Sequence, residues 1–376
     1  MIRLRLACLG ILLCLPSLAT LVPSPNLEKR IESSDAIIVG TLIRGMTTAS
    51  GDRVSTDLVL KVDRVLKGNL MAGDEATAHL EGRAAFIAPA VTTKPIEQRF
   101  HGIWLLKGTA LPYTVISRDG NSGELGWAVV SLPESAPPGA IGKTPAESVA
   151  NELAAALRWL APQSAESLLD LAMSFATLEA GQTIPWYREF SGAGAARLRV
   201  VGIQGLIAAN QPDGPVKAAA DWADLAGKAD IHPIVNAVMQ YSNEDPAAIG
   251  ALAALAARPD AEAGLRENVA YALRAIHTRA ALPGLAALLD DPSARARSYA
   301  LSGLCLFVRN APTVTPQSIP SMSWMQVRQP TPFLTPETEP HCLLGGMAPD
   351  ADSHILFWKS WWAQHAAAIS DSPRNP

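Results

Sequence analysis

The stretch that decides the fold is Leu288–Leu301, with the sequence LLDDPSARARSYAL. Asp291 and Pro292 form a turn signal between two segments rich in alanine and leucine. These segments, 281–290 and 293–309, have the length and composition of short helices. The stretch therefore predicts two helices that are joined by a tight turn.

The same pattern occurs in the preceding part of the chain. Two pairs of segments match, at spacings of 33 and 28 residues: Leu252–Leu255 with Leu285–Leu288, and Tyr271–Leu273 with Tyr299–Leu301. The difference predicts an insertion of about five residues in the first copy. An isolated pair of helices cannot bury its apolar stripe, whereas stacked pairs can, so the repeat predicts a stack.

Small residues recur on one face of these predicted helices and predict close packing across paired layers. They are Ala272, Ala275, Ala300 and Gly303. With the Asp291-Pro292 turn and Arg297 six residues after Asp291, Leu288–Leu301 resembles a HEAT repeat. The resemblance implies an α-helical solenoid in which such an aspartate and arginine form a ladder between neighbouring repeats.

The HEAT resemblance covers residues 246–310, and Arg258 stands where the first copy would have the aspartate, so the ladder is expected to be broken there. An extension of the solenoid back to residue 145 rests on helical pattern alone, and an irregular helical bundle is the alternative. The helices predicted over the whole region are 145–160, 164–180, 193–209, 215–228, 232–242, 246–257, 261–278, 281–290 and 293–309.

A change from period-two to helical patterning marks the start of this helical half. It follows Pro137-Pro138-Gly139. Thr144-Pro145-Ala146-Glu147 then combines a helix cap, a proline at the first helical position and a capping-box glutamate. The sequence therefore places the first long helix at residue 145.

The preceding part of the chain, residues 27–135, carries strand signals separated by turn residues. Short β-branched and apolar segments of this kind predict a small barrel or sandwich. The predicted strands are 35–43, 54–65, 75–80, 102–106, 113–117 and 127–130.

Three segments of this β domain, Ser34–Gly40, Val62–Gly68 and Trp104–Leu106, are similar to the netrin-like module. That module is the OB-type barrel of the tissue inhibitors of metalloproteinases. In those inhibitors an N-terminal cysteine holds the segment that chelates the protease zinc. The predicted mature start, Thr20–Ser24, has no cysteine. The resemblance therefore implies the barrel and leaves protease inhibition as an alternative function.

The first 19 residues have the pattern of a secretory signal peptide. Arg3 and Arg5 precede the apolar run Leu6–Leu15, and small residues at Ser17 and Ala19 favour cleavage after Ala19. The run of about ten residues is short for a membrane span, which needs roughly 20. We therefore expect a secreted or periplasmic protein with no membrane span in the mature chain.

Length and charge limit the possible partners. The 376 residues suggest two or three domains, and the strand-patterned and helical halves together predict a multidomain α+β protein. The 31 basic and 35 acidic side chains leave a net charge of −4, which argues against nucleic acid as the main partner. We expect another protein or peptide, and the sequence leaves the oligomeric state open.

The C-terminal part offers the candidate binding residues. Residues 311–350 are rich in proline and threonine and predict an extended segment, and 351–370 predict a closing helix with Ile355, Trp358 and Trp362 on one stripe. This helix either caps the last repeat or provides an aromatic anchor for a partner. The candidate anchor residues are Trp324, Phe333, Trp358, Trp361 and Trp362.

No motif in the sequence assigns a catalytic, cofactor or metal site. The Gly-Lys-Thr at 142–144 lacks the first glycine of a P-loop, because Pro137 is there. His341, Cys342, His354 and His365 lack the usual ligand spacing of a metal site. We therefore expect a non-enzymatic binding or scaffold protein, with protease inhibition or a motif-less metal-dependent hydrolase as alternatives.

Two cysteines follow the predicted leader, Cys305 and Cys342. Cys305 lies in the apolar segment Leu301–Val308. The pair forms one disulfide in an oxidising compartment, or Cys305 is a small buried hydrophobic residue. The sequence leaves both interpretations open.

Overall fold

The structure is a computed structural model that describes residues 26–117, 129–313, 331–342 and 351–371. The predicted leader lies outside the described residues. Contacts divide the chain into two units, Met1–Ala156 with Leu169–Glu179, and Leu157–Leu168 with Ala180–Pro376. An N-terminal β sheet, within residues 36–131, is followed by about ten helices.

Among its described residues, the first unit has one short helix and five strands before the long helices begin. Asn26 caps the helix, because its side-chain oxygen accepts the Glu28 backbone N–H at 2.9 Å. The elements are α1 (Leu27–Ser33), β1 (Ala36–Lys67), β2 (Glu75–Pro95), β3 (His101–Lys107), β4 (Tyr113–Val115) and β5 (Val129–Ser131).

Strand β1 folds back on itself. A straight strand of its 32 residues would extend roughly 105 Å. However, the Thr41 hydroxyl donates to the Asp63 carboxylate at 3.1 Å, and the hydroxyls of Thr47 and Thr56 lie 3.1 Å apart. The chain must therefore reverse direction between residues 47 and 56.

This reversal explains how one strand of the structure corresponds to two predicted strands. The sequence predicts strands 35–43 and 54–65, and the two arms of β1 correspond to them. Residues 44–53 also have strand geometry, which the prediction missed. The segment Thr48–Asp52 consists of residues that favour turns, so local propensity gives no sign that the strand continues through the bend.

The strand pairings form a circuit. β1 pairs antiparallel with β2 and with β3, and β4 pairs parallel with β2 and antiparallel with β3. β5 pairs antiparallel with β3 on the edge opposite β1, which it shares with β4. Trp104 is fully buried among these strands, and its indole N–H donates to the Gly40 carbonyl at 3.0 Å.

Helices dominate the described part of the chain that follows β5. In chain order they are α2 (Pro145–Leu160), α3 (Ala165–Phe175), α4 (Ala180–Phe190), α5 (Ala196–Ala208), α6 (Asp213–Ala226), α7 (His232–Val238), α8 (Pro246–Ala256), α9 (Ala263–Ile276), α10 (Leu282–Leu288), α11 (Ala294–Val308) and α12 (Ala351–Asp371). Single 3₁₀ turns occupy Arg279–Ala281 and Glu339–His341.

The predicted cap at residue 145 is confirmed. The Thr144 hydroxyl accepts the Glu147 backbone N–H at 3.1 Å. The Glu147 carboxylate reaches back to the Lys143 N–H at 2.7 Å, one residue before the usual partner. The start of α2 is therefore specified by local sequence.

Helix α4 was not predicted. The sequence favours one helix over 164–180, whereas α3 ends at Phe175 and α4 begins at Ala180. Gly181 and Pro185 lower the helix propensity of α4. Packing compensates, since a side chain at Gly205 on α5 would lie 2.3 Å from the Tyr187 ring.

The helices of the second unit pack in two rows. α5 packs against α7, α7 against α9 and α9 against α11, while α6 packs against α8. Three chain reversals use a left-handed residue, namely Asn210 after α5, His277 after α9 and Asn310 after α11. One buried apolar core runs from Val200 to Ile369.

The expected ladder residue is replaced by another arginine. Arg297 donates to the backbone carbonyls of Asp291 and Pro292 in its own turn. The buried Asp291 carboxylate instead accepts Arg266 Nε at 2.8 Å, from helix α9. Arg266 lies outside the aligned motif, so the repeat pattern gives no sign of its role.

One buried ion pair ties β1 to α2 within the first unit. Arg64 contacts the Glu152 carboxylate at 2.5 Å and donates to the Gly139 carbonyl at 2.7 Å. The same carboxylate accepts the Gly139 N–H at 3.0 Å. Burial raises the pKa of Glu152, and Arg64 opposes that shift. The Arg64 guanidinium and the Gly139 N–H therefore both depend on the carboxylate.

Replacing this carboxylate is expected to be costly. Glu152→Gln would leave the Arg64 charge without its counter-ion, which costs about 3 kcal/mol in buried pairs. Urea titration should show this loss, while Glu97→Gln, an exposed residue of the same unit, should change the unfolding free energy by less than about 0.5 kcal/mol. Equal effects of the two variants would contradict the assignment.

Candidate functional site

The predicted anchor residues divide by position. Trp324 lies outside the described residues. Phe333 belongs to the segment 331–342, and Trp358, Trp361 and Trp362 are on α12. The 331–342 segment contacts both α11 and α12 of the second unit.

Trp358 is a packing residue. Its side chain is 0% exposed, and its indole N–H donates to the His341 carbonyl at 2.9 Å. A fully buried indole cannot enter a pocket of a partner. The burial of Trp358 is what the interpretation of α12 as a cap predicts.

Trp361 is also more buried than the predicted stripe implies. It is 5% exposed, whereas Trp362, assigned to the stripe, is half-buried. The Phe333 ring meets Trp361 edge-on with a centroid separation of 5.9 Å and lies over Phe307 at 6.1 Å. The 331–342 segment thus covers a part of α12 that helical periodicity alone assigns to the margin of the buried face.

A cavity of about 230 Å³ opens beside these rings. Its walls combine four rings with hydroxyl, amide and carboxylate groups. The lining residues are Pro332, Phe333, Thr335, Glu337, Thr338, Phe357, Ser360, Trp361, Gln364 and His365. We call this the C-terminal cavity.

His365 completes the aromatic wall. Its ring stacks on Trp361 with centroids 4.9 Å apart and meets Phe333 edge-on at 5.8 Å. Its Nδ1 lies 2.7 Å from the Trp361 carbonyl one turn earlier, so Nδ1 is the donor and carries the proton. The remaining ring nitrogen, Nε2, is then an acceptor in the neutral ring.

The floor of the cavity is held by hydrogen bonds. The buried Thr338 hydroxyl donates to the Phe333 carbonyl at 2.9 Å and accepts the Thr335 N–H at 2.8 Å. These bonds fix the turn that carries Phe333 and Glu337. The Glu337 side chain is exposed, and it is the lining residue with an acidic group.

Sequence reasoning missed Glu337 and Gln364, and considered His365 only as a metal ligand. The i, i+4 spacing of Trp361 and His365 is the signal that could have paired these two rings. Nothing in the proline- and threonine-rich segment could have placed Glu337, because that segment has no periodicity.

Two of the histidines considered as metal ligands lie in contact. His341 Nδ1 and His354 Nδ1 lie 3.0 Å apart, and the His341 ring stacks on Phe357 with centroids 3.9 Å apart. His365 faces Trp361 instead. Among the residues that the structure describes, no group of three or more histidine, cysteine, aspartate or glutamate side chains could hold a metal ion.

A polar cluster in the β unit has the residue types of a nucleophilic triad. Thr41 Oγ1 lies 2.9 Å from His101 Nδ1 and 3.1 Å from the Asp63 carboxylate. The same histidine nitrogen lies 3.5 Å from Asp63. A triad needs one ring nitrogen for the nucleophile and the other for the acid. This geometry instead links three strand segments.

Burial lowers the pKa of His101, with Asp63 and Glu134 opposing the shift and Arg99 adding to it. A histidine whose pKa is lower in the folded than in the unfolded protein stabilises the fold above the unfolded value near 6.5. This stabilisation is lost as the pH falls through the folded pKa. We therefore expect the unfolding free energy of the first unit to fall between pH 7.5 and pH 5. His101→Asn should reduce this dependence on pH.

His79→Asn is the matched control. Its hydrogen bond to Asp57 raises the pKa of His79, so His79 stabilises below pH 6.5 and this contribution is lost as the pH rises. Removing His79 should therefore make the loss of stability at acid pH steeper. Urea unfolding at each pH, monitored by hydrogen exchange of β3 peptides, measures the pH dependence of stability in both variants. An unchanged pH dependence in His101→Asn would overturn the prediction.

In the described part of the chain, no helix is both long and apolar enough to cross a membrane. Comparisons with protein-family models, with curated proteins and with solved structures each returned no match.

Proposed function

We propose that this chain is a non-enzymatic, extracytoplasmic protein-binding protein that takes one basic side chain of a partner protein into the C-terminal cavity. The observation that carries the proposal is the lining of this cavity. Rings of Phe333, Phe357, Trp361 and His365 surround it, together with the Glu337 carboxylate. A lysine or arginine side chain combines an apolar stem with a cationic end, and both parts match this lining.

Electrostatics favour a cation over an anion. The faces of aromatic rings attract positive charge, and Glu337 adds a full negative charge at the rim. Among the described residues, no lysine or arginine lines the cavity. An acidic side chain would therefore meet negative potential without a counter-ion.

The cavity is pre-organised. The rings of Phe333, Trp361 and His365 contact one another, and the Thr335–Thr338 turn is closed by hydrogen bonds. Binding would therefore lose little conformational entropy on the side of this protein.

The proposal places this cavity at the end of a HEAT-like solenoid. The packing of alternate helices in two rows supports a stack of helical pairs. The Arg266–Asp291 ion pair between successive pairs supports the HEAT resemblance. A solenoid needs a capped end, and α12 with the 331–342 segment would provide it.

The proposal also includes a small OB-type barrel in the first unit. The pairing path β1–β2–β4–β3 returns to β1, which is what a closed sheet requires. The extracytoplasmic location is supported by the signal-peptide pattern of residues 1–19.

A site-specific photo-crosslinker tests the cavity. Benzoylphenylalanine at Gln364, on the cavity wall, should form an adduct with a partner in the native compartment, whereas the same group at the exposed Leu356 of α12 should not. Mass spectrometry should place a lysine or arginine of the partner within a few residues of the crosslinked position.

The role of the Glu337 charge is tested in the chain that carries the crosslinker at Gln364. Glu337→Gln should lower the adduct yield at sub-saturating partner about threefold, since attraction to an exposed carboxylate is worth about 0.7 kcal/mol. Glu339→Gln, a neighbouring exposed glutamate outside the cavity, should leave it unchanged. An adduct that is insensitive to Glu337, or equal adducts at Gln364 and Leu356, would contradict the proposal.

A further inference from the structure

Cys305 and Cys342 lie together in the second unit. Cys305 is on α11 and fully buried, and Cys342 ends the 331–342 segment and is half-buried. Both are thiols in this structure, and Cys342 packs against the same apolar core that contains Cys305. Although they are 37 positions apart in sequence, the fold brings them to one place.

Direct contacts define their geometry. The Cys305 thiol donates to the carbonyl of His341, the residue before Cys342, at 3.6 Å. His341 and Cys342 are consecutive residues, so this contact places the backbone of Cys342 beside the Cys305 thiol, as a disulfide requires.

The two sulfur atoms have different surroundings. Cys342 is partly accessible, whereas Cys305 is fully buried. The Cys305 thiol and Arg309 lower the pKa of Cys342. A thiolate is the reactive form of cysteine, so an accessible cysteine beside an arginine is the attacking group and its buried neighbour resolves the intermediate.

We propose that Cys305 and Cys342 form an intramolecular disulfide that fastens the 331–342 segment to α11, with Cys342 as the attacking thiol. The proposal does not depend on the ligand of the C-terminal cavity. The bond would hold Phe333, which lies in the same segment, in place beside Trp361.

A low-molecular-weight disulfide is the oxidant. The Cys342 thiolate attacks one of its sulfur atoms and forms a mixed disulfide, with release of one thiolate. Cys305 then gives its proton to solvent and attacks the Cys342 sulfur, and the second thiolate leaves and is protonated. Two protein thiols are oxidised, and one disulfide is reduced to two thiols.

Peptide mapping of the full chain tests the bond. The protein is incubated with oxidised glutathione, its remaining thiols are blocked with N-ethylmaleimide, and it is digested with trypsin without reduction. Cleavage yields peptides 298–309 and 329–359, each with one of the two cysteines, whereas Cys8 and Cys14 both lie on 6–29.

The proposal predicts that 298–309 and 329–359 are recovered as one linked species, two hydrogens lighter than their sum, and that neither carries maleimide. Recovery of both peptides with maleimide, or of each with glutathione, would overturn it. A link between two copies of the chain, detected as a covalent dimer, would overturn it as well.

Single variants test the order of attack and remain informative if the linked form is unstable. Cys305→Ser should form the glutathione adduct at Cys342 at least tenfold faster than Cys342→Ser forms it at Cys305. Arg309→Gln should slow the reaction of Cys342 about tenfold, whereas Arg295→Gln, an exposed arginine at the other end of α11, should not. Equal rates at the two cysteines would contradict the assigned roles.

Discussion

The carbonyl oxygen of His341 joins three elements of the helical unit. It accepts the Trp358 indole N–H from α12 at 2.9 Å and the Cys305 thiol from α11 at 3.6 Å. The indole is fully buried, so its N–H must find a partner inside the protein or lose the hydrogen bond that water would provide. The 331–342 segment supplies that partner. The segment therefore satisfies this buried donor while it contacts both α11 and α12.

The proposed roles of this region follow from that constraint. The same segment carries Phe333 and Glu337 to the cavity wall and Cys342 to the sulfur of Cys305. A purely apolar cap would offer no charged or polar group for a partner to recognise. In this protein residues 331–342 also bring rings and a carboxylate to one cavity and place Cys342 near Cys305. The proposed cap and the proposed binding site would then both depend on this segment.

Local sequence predicted the elements whose determinants lie within a few residues. The Thr144–Glu147 cap and the Asp291 turn belong to this group, and so do most helices and the arms of β1. Contacts between distant residues were not predictable. Arg266 pairs with Asp291 through the packing of α9, and the reversal of β1 depends on contacts 22 and 9 residues apart. The burial of Trp361 depends on Phe333, 28 positions earlier, so no period within α12 could indicate it.

The most direct test of the account removes the indole N–H while keeping an aromatic ring. In Trp358→Phe the His341 carbonyl loses its partner on α12, and a buried unmade hydrogen bond costs about 1–3 kcal/mol. Hydrogen–deuterium exchange should then become at least about tenfold faster both in α11 and in residues 331–342, with little change in the matched variant of the half-buried Trp362, Trp362→Phe. Unchanged protection of α11 and of residues 331–342 in Trp358→Phe would show that this hydrogen bond does not hold the end of the helical unit together.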